Sequence, residues 1–338
     1  MPQHFKALFD ELNISAISIS KKRAERSKKV GALVQKLRNE GGAIKVPSIM
    51  HYNAMGGITV KGRYINDFAN ILGVTAAFGS VYKAIDHPTE EAFSSFVIDD
   101  IDPFEIRPKM RWRRYNIMLD VVKKLLSQDV KVIFMDMSLM ITKGSLPQTD
   151  DVEVQKDFDE QMAMIENGVN ALLHENKRLT LCTAEDSLNS KIFHFLADGY
   201  GMGDISPKLM DISEIIKTDY RLSQSVMLKM LLYPGERTPW YEINEDNIEG
   251  PIYPKSLSRD GLACCYLRGP ERIYRLEIPI ALKNTDKDKM AETAMWCLSH
   301  SPSNGLLPIF IAETHVVSLD HILQVAESLI DRNMELYK

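Results

Sequence analysis

The chain is 338 residues long, 45% hydrophobic and 26% charged, with a formal net charge of −5. That length holds one large domain with additions, or two modest ones. The acidic balance excludes a small basic DNA-coating module, and the modest Gly and Pro content argues against extended disorder.

The four cysteines, Cys182, Cys264, Cys265 and Cys297, form no CxxC pair. A zinc cluster or a disulfide framework is not expected, and reduced, mostly buried thiols are. The N-terminal MPQHFKALFDELN lacks the apolar core of a signal peptide. No apolar run approaches the roughly 18 residues that span a bilayer. The expectation is a soluble, cytoplasmic protein with no membrane partner.

Residues 3–41 read as mostly helix. Phe5, Leu8, Phe9 and Leu12 recur at helical spacing, the stretch from Ile14 to Ile19 interrupts them, and a second helix runs to the Gly41-Gly42 stop. Residues 1–42 are therefore expected to form a helical N-terminal arm, an element suited to dimerisation, and residues 43–338 a single domain. The run from Lys21 to Lys29 is basic, and fits either a solvated face or contact with DNA phosphates.

Residues 43–100 look strand-rich, with GGITVKGRYI alternating and SSFVIDDIDPFEI ending in acids. Residues 107–114, RPKMRWRR, place five cations around Trp112. Residues 115–127 look helical. From Val130 to Met135 only Lys131 is polar, the pattern of a strand buried on both faces, and it ends at Asp136. A long helix over 151–176, a short strand in RLTLCTA and helices over 187–197 and up to Pro234 follow. Two strands lie within 262–280, and a helix spans 287–299. LLPIFIAETHVV reads as a strand, and a final helix begins at Ser318, its expected N-cap. Helix alternating with strand predicts an α/β fold.

Asp136 is the leading candidate for chemistry. A carboxylate at the carboxyl end of a central strand stands where open α/β sheets place ligands, and it suits a hard metal ion; a turn or cap role is the alternative. His315 is second, since an extended PIFIAETHVV puts it on one face with Glu313. A histidine beside a carboxylate can bind metal or move protons, or it can be an ordinary core residue. Asp99, Asp100, Asp102 and Glu105 either complete a metal site or form an exposed turn around Pro103. The cations of RPKMRWRR would line one face if extended. Arg107, Lys109, Arg111, Arg113 and Arg114 would then meet phosphates while Trp112 stacks on a base of single-stranded DNA; a solvated face competes with that reading. No GxxxxGK[ST] loop is present, so ATP hydrolysis by the chain itself is not expected.

Taken in order, these segments resemble the NurA nuclease family. RWRRYNIMLDVVKKLLSQDVKVIFMDMSL looks like the family's helix and apolar strand ending in Asp-Gly-Ser-Leu, with Asp136-Met137-Ser138-Leu139 at that point. KTDYRLSQSVMLKMLLYPGERTPWY resembles its Ser-Asp helix and Pro-Gly turn, with Asp219 matching the Asp. LPIFIAETH resembles its late strand, with His315 in the His position.

The resemblance covers roughly residues 70–338. It implies an RNase H-like mixed central sheet flanked by helices. It also implies a Mn²⁺-dependent (or Mg²⁺-dependent) 5′→3′ exonuclease and single-strand endonuclease, working as a homodimer on a hexameric HerA-type ATPase in DNA end processing or anti-phage defence. The implied catalytic pair is Asp136 and His315, and the implied metal set is Asp136, Asp219, Asp120 and Asp102.

The chain departs from the pattern. Ala76-Ala77-Phe78-Gly79-Ser80 is the nearest match to the family's first-strand Asp-Gly-Ser, with Phe78 where the acid stands. Arg114 precedes Tyr115 where an acid usually does, leaving Asp120 as a substitute, and Leu307 replaces the family's Tyr. A catalytically degenerate scaffold or adaptor for the ATPase is the alternative reading.

Overall fold

The computed structural model describes residues 3–39, 41–67, 70–84, 93–101, 106–139, 152–175, 180–185, 224–243, 255, 257, 261–282, 285–302, 305–314, 316 and 319–336. The chain begins with α1 (Gln3–Asn39), β1 (Ile44–Lys45), β2 (Ala54–Asp67), β3 (Asn70–Lys83) and β4 (Phe93–Ile101). There follow α2 (Ile106–Leu126), β5 (Val132–Met135), α3 (Val152–Glu175), β6 (Thr180–Glu185), α4 (Gln224–Leu231), β7 (Glu236–Arg237) and β8 (Tyr241–Ile243). The last elements are β9 (Leu262–Arg268), β10 (Ile273–Pro279), α5 (Lys287–His300), α6 (Leu307–Thr314) and α7 (Leu319–Leu336).

The strands form one mixed sheet in the order β1-β7-β9-β10-β6-β5-β2-β3-β4, with β8 beside β9. β2, β3 and β4 are an antiparallel meander, while β5 runs parallel to both β2 and β6. This is the RNase H-like mixed sheet that the resemblance implied.

The strand at the centre behaves as its apolar run requires. Ile133 and Met135 enter one core with α2 and α3, and Val132 and Phe134 enter another with α5 and the start of α6. All four are fully buried, so period-two alternation feeds both faces of the sheet. A third cluster packs Val74, Ala76 and Phe78 of β3 on Leu319 and Leu323 of α7. Phe78 is thus a core side chain under the last helix.

Three expectations about elements are corrected. The N-terminal arm is one continuous 37-residue helix, about 55 Å long at 1.5 Å per residue. Leu12, Ile14, Ile17 and Ile19 lie along it, all more than half exposed, rather than in a break. Its C-terminal end meets the body: Val34 and Leu37 are buried, and Arg38 donates to both Glu236 carboxylate oxygens at 2.7 and 2.9 Å.

The second correction is RPKMRWRR, which begins α2. Pro108 sits in the first turn, where its missing N–H costs nothing. The third is LPIFIAET, which is the helix α6 rather than a strand. Short apolar runs are ambiguous between the two, and the contact made by Gly57 decides it. A Cβ on Gly57 would stand 2.0 Å from the Pro308 carbonyl oxygen. The helix backbone lies directly on β2, and Ser80 Oγ donates to that same carbonyl at 2.7 Å.

By length and composition Leu307–Asn333 is apolar enough to cross a membrane. In the fold it comprises α6 and most of α7, whose Ile309, Ile311, Ala312, Leu319 and Leu323 are buried. The remaining described elements follow the sequence reading closely, including α3, β6, β9, β10 and α5. Cys264, Cys265 and Cys297 are free and buried. The expected helix over 187–197 and the Ser318 cap lie outside the described residues.

Candidate functional site

β5 stops at Met135, paired with Ile58 of β2, and the chain turns away at Asp136. The backbone ladder ends there, yet β2 continues and its next inward N–H needs an acceptor. Asp136 supplies it. Its amide donates to the Ile58 carbonyl at 3.1 Å, and its Oδ1 accepts from the Val60 amide at 3.0 Å. Oδ2 accepts from Thr59 Oγ1 at 2.5 Å and faces Lys61 Nζ at 3.6 Å.

The carboxyl is only 18% exposed. Burial raises its pKa above the ordinary value, against the opposing pull of the Thr59 hydrogen bond, Lys61 and the Val60 amide; Glu313 adds to the rise. Beneath it, Arg114 of α2 lies against Gly62, whose added Cβ would come within 3.2 Å of the guanidinium. Burial lowers the Arg114 pKa, and the Asp136 charge pulls the other way.

The turn after Asp136 is pinned from two sides. Tyr115 of α2 donates to the Ser138 carbonyl. The buried Glu277 of β10 accepts from Ser138 Oγ at 2.8 Å and the Leu139 amide at 3.3 Å, and pairs with Arg275 at 2.6 Å. Above Asp136 opens a cleft of about 440 Å³, lined by Lys61, Arg272, Tyr274, Phe310 and Glu313 among others. Lys61 Nζ also reaches Glu313 Oε1 of α6, at 3.0 Å.

Of the residues singled out from sequence, Asp136 stands at the cleft as expected. His315, Asp219, Asp102 and Glu105 lie outside the described residues. Asp120 is corrected: it points to solvent from α2, 55% exposed, with Lys123 at 3.8 Å. Asp99 and Asp100 occupy β4 at positions paired with Gly73 and Leu72.

The DNA-facing stripe is also corrected. The helical turn scatters the side chains of 109–114 around α2 instead of aligning them. Trp112 is 1% exposed and packs on Phe158 with ring centroids 5.2 Å apart, so no base can stack on it. Lys109 faces Asp157 at 3.8 Å, Arg113 donates to Gln161 at 3.2 Å, and Arg114 is turned inward toward Asp136. Arg111 is exposed, and of Arg107 only the helical backbone is described.

Sequence reasoning missed Thr59 and Lys61. It sought the partner of Asp136 on β3, at Phe78, whereas the strand parallel to β5 is β2. The signal was the alternation of GGITVKGRYI, which places Gly57, Thr59 and Lys61 on one face.

A catalytic metal centre for phosphodiester chemistry needs several carboxylates holding cations about 3.5–4 Å apart. Among the described residues no group of three or more His, Cys, Asp or Glu side chains converges. The groups on the Asp136 oxygens are the Thr59 hydroxyl, the Val60 amide and, at 3.6 Å, the Lys61 ammonium. All three are donors, and a divalent ion would be repelled by the ammonium. The described residues do not fit a metal centre.

The sequence matches no protein-family model and no curated protein. The NurA nuclease from Sulfolobus solfataricus is similar in structure, with a TM-score of 0.59 at 11% identity, covering 94% of this chain and 98% of that one. A NurA structure bound to dAMP and manganese gives 0.49 at 12% identity, over 94% and 96%. Endonuclease V from Bacillus subtilis gives 0.35 at 14%, over 89% and 91%. In fold, from the antiparallel meander to the last helix, the chain is NurA-like.

Proposed function

We propose that this chain is a non-hydrolysing, NurA-like scaffold that handles DNA as an adaptor subunit for a hexameric HerA-type ATPase. The fold supports the nuclease lineage. What supports a non-hydrolysing reading is the surround of Asp136, whose carboxylate takes the Thr59 hydroxyl and faces the Lys61 ammonium at the tip of β5.

Metal-dependent 5′→3′ exonuclease or single-strand endonuclease activity with Mn²⁺ or Mg²⁺, the reading drawn first from sequence, needs ligands from Asp102, Asp219 and His315. In the scaffold reading the protein acts in the cytoplasm as a homodimer, in DNA end processing or anti-phage defence. The exposed cations Lys21, Lys22, Arg23 and Lys28 of α1 then meet DNA phosphates.

The test is incubation of the purified protein with end-labelled single- and double-stranded DNA and Mn²⁺ or Mg²⁺, with and without a HerA-type ATPase. The expected result is intact DNA together with altered ATPase activity. Cleavage that disappears in Asp136→Ala overturns the reading.

A further inference from the structure

We propose that the Lys61 ammonium is the resident cation of this cleft, standing where a divalent ion would bridge Asp136 and Glu313. The inference deepens the non-hydrolysing reading and rests on it. Its geometry is that of a bridging ion carried on a side chain. Nζ lies 3.0 Å from Glu313 Oε1 on α6 and 3.6 Å from Asp136 Oδ2 at the end of β5, while its own backbone belongs to β2. One cation therefore ties together three elements that sequence brings from positions 61, 136 and 313.

The charges explain why no metal is needed. Two carboxylates on one ammonium, Asp136 18% and Glu313 44% exposed, repel one another and favour a counter-charge between them. Lys61 supplies one unit directly between them, and Arg272 lines the same cleft, so the chain itself brings the positive charge. A divalent ion entering beside them would leave an uncompensated excess of positive charge at short range. Without the ammonium, the same two carboxylates line a cleft of about 440 Å³ that has room for a hydrated ion, with oxygen donors of the kind Mn²⁺ and Mg²⁺ take.

The test measures metal binding directly, with no DNA and no activity. Mn²⁺ is titrated by calorimetry and by electron paramagnetic resonance into the wild type, Lys61→Ser, Lys61→Gln and the double variant Lys61→Ser with Glu313→Gln. Circular dichroism confirms that each is folded, and Lys61→Gln, which keeps most of the stem, serves if the serine variant does not fold.

The wild type is expected to show no saturable site at Asp136. Loss of the ammonium creates one, tighter than any wild-type binding by at least roughly ten-fold, the scale on which one neighbouring group shifts metal affinity, and the double variant loses it again. The proposal is overturned by a wild-type site that Asp136→Asn abolishes, or by folded Lys61 variants that bind no Mn²⁺. A wild type that binds Mn²⁺ at Asp136 yet leaves DNA intact overturns this inference while the scaffold reading stands. DNA cleavage dependent on Asp136 overturns the scaffold reading itself.

Discussion

Gly57→Ala is the sharpest probe of how the cleft is assembled, because a single methyl group there meets backbone rather than side chain. The added Cβ would stand 2.0 Å from the Pro308 oxygen, 2.1 Å from its carbonyl carbon and 2.5 Å from the Ile309 nitrogen. No rotamer change relieves such a contact, so α6 must move off β2. Overpacking of a tight core costs about 1–3 kcal/mol and occasionally more. With three backbone atoms inside contact distance the upper end, about 3 kcal/mol, is expected. Displacing Pro308 also breaks the buried bond from Ser80 Oγ. Ser80→Ala alone costs about 0.5–1.5 kcal/mol, the net worth of one hydrogen bond, since the Pro308 carbonyl keeps its place in the α6 ladder. The two losses overlap, so the double variant should fall short of their sum. Urea denaturation followed by circular dichroism measures all three. A Gly57→Ala protein as stable as the wild type refutes the placement of α6, and with it the approach of Glu313 to Lys61.

Two further outcomes are expected. Trp112→Ala, which empties a fully buried indole site against Phe158, should cost about 3–5 kcal/mol of stability and leave the DNA affinity of the folded protein unchanged. Weakened DNA binding at full stability contradicts the buried placement. Asp136→Asn tests the buried carboxyl through pH. Its folded pKa is raised above 3.8 by burial, so its contribution to stability is full below that value and is lost as pH rises through the folded pKa. As pH rises above 3.8 the wild type should lose stability relative to Asp136→Asn, read as diverging denaturant midpoints. Parallel profiles contradict the assignment.

The parts of the fold that were legible in sequence are those with long, unambiguous patterns. The apolar run into Met135, the 24-residue α3 and the β9–β10 pair all lie where periodicity puts them. The failures share a cause. PIFIAET is too short for periodicity to separate strand from helix, and a glycine more than 200 positions away settles it. Ile14 to Ile19 looks like a break because β-branched apolar residues rarely face solvent on a helix, yet α1 runs on with those residues outward. RPKMRWRR offered cations at period two, and α2 instead buries Met110 and Trp112 and leaves Arg111 exposed. Of the site, Asp136 was visible because strand ends are visible. Its partners were not, because pairing of β5 with β2 joins positions 77 residues apart.

The surround of Asp136 also bears on why an acid stands there at all. A carboxylate offers about four lone-pair sites. Here one takes the Val60 amide that β5 leaves unpaired by ending at Met135, another takes the Thr59 hydroxyl, and a third faces the Lys61 ammonium. A metal ion would need those same oxygens. An acid with three of those sites taken by the chain is explained by sheet termination: replacing it with alanine strands a backbone N–H and a hydroxyl and leaves Lys61 paired to Glu313. An aspartate at the tip of a central strand is therefore compatible with two opposite histories, and its neighbours on the parallel strand discriminate between them. Carboxylates converging on it with no ammonium between them would suit a metal, whereas the Lys61 ammonium between Asp136 and Glu313 suits the reading in which the chain carries the positive charge.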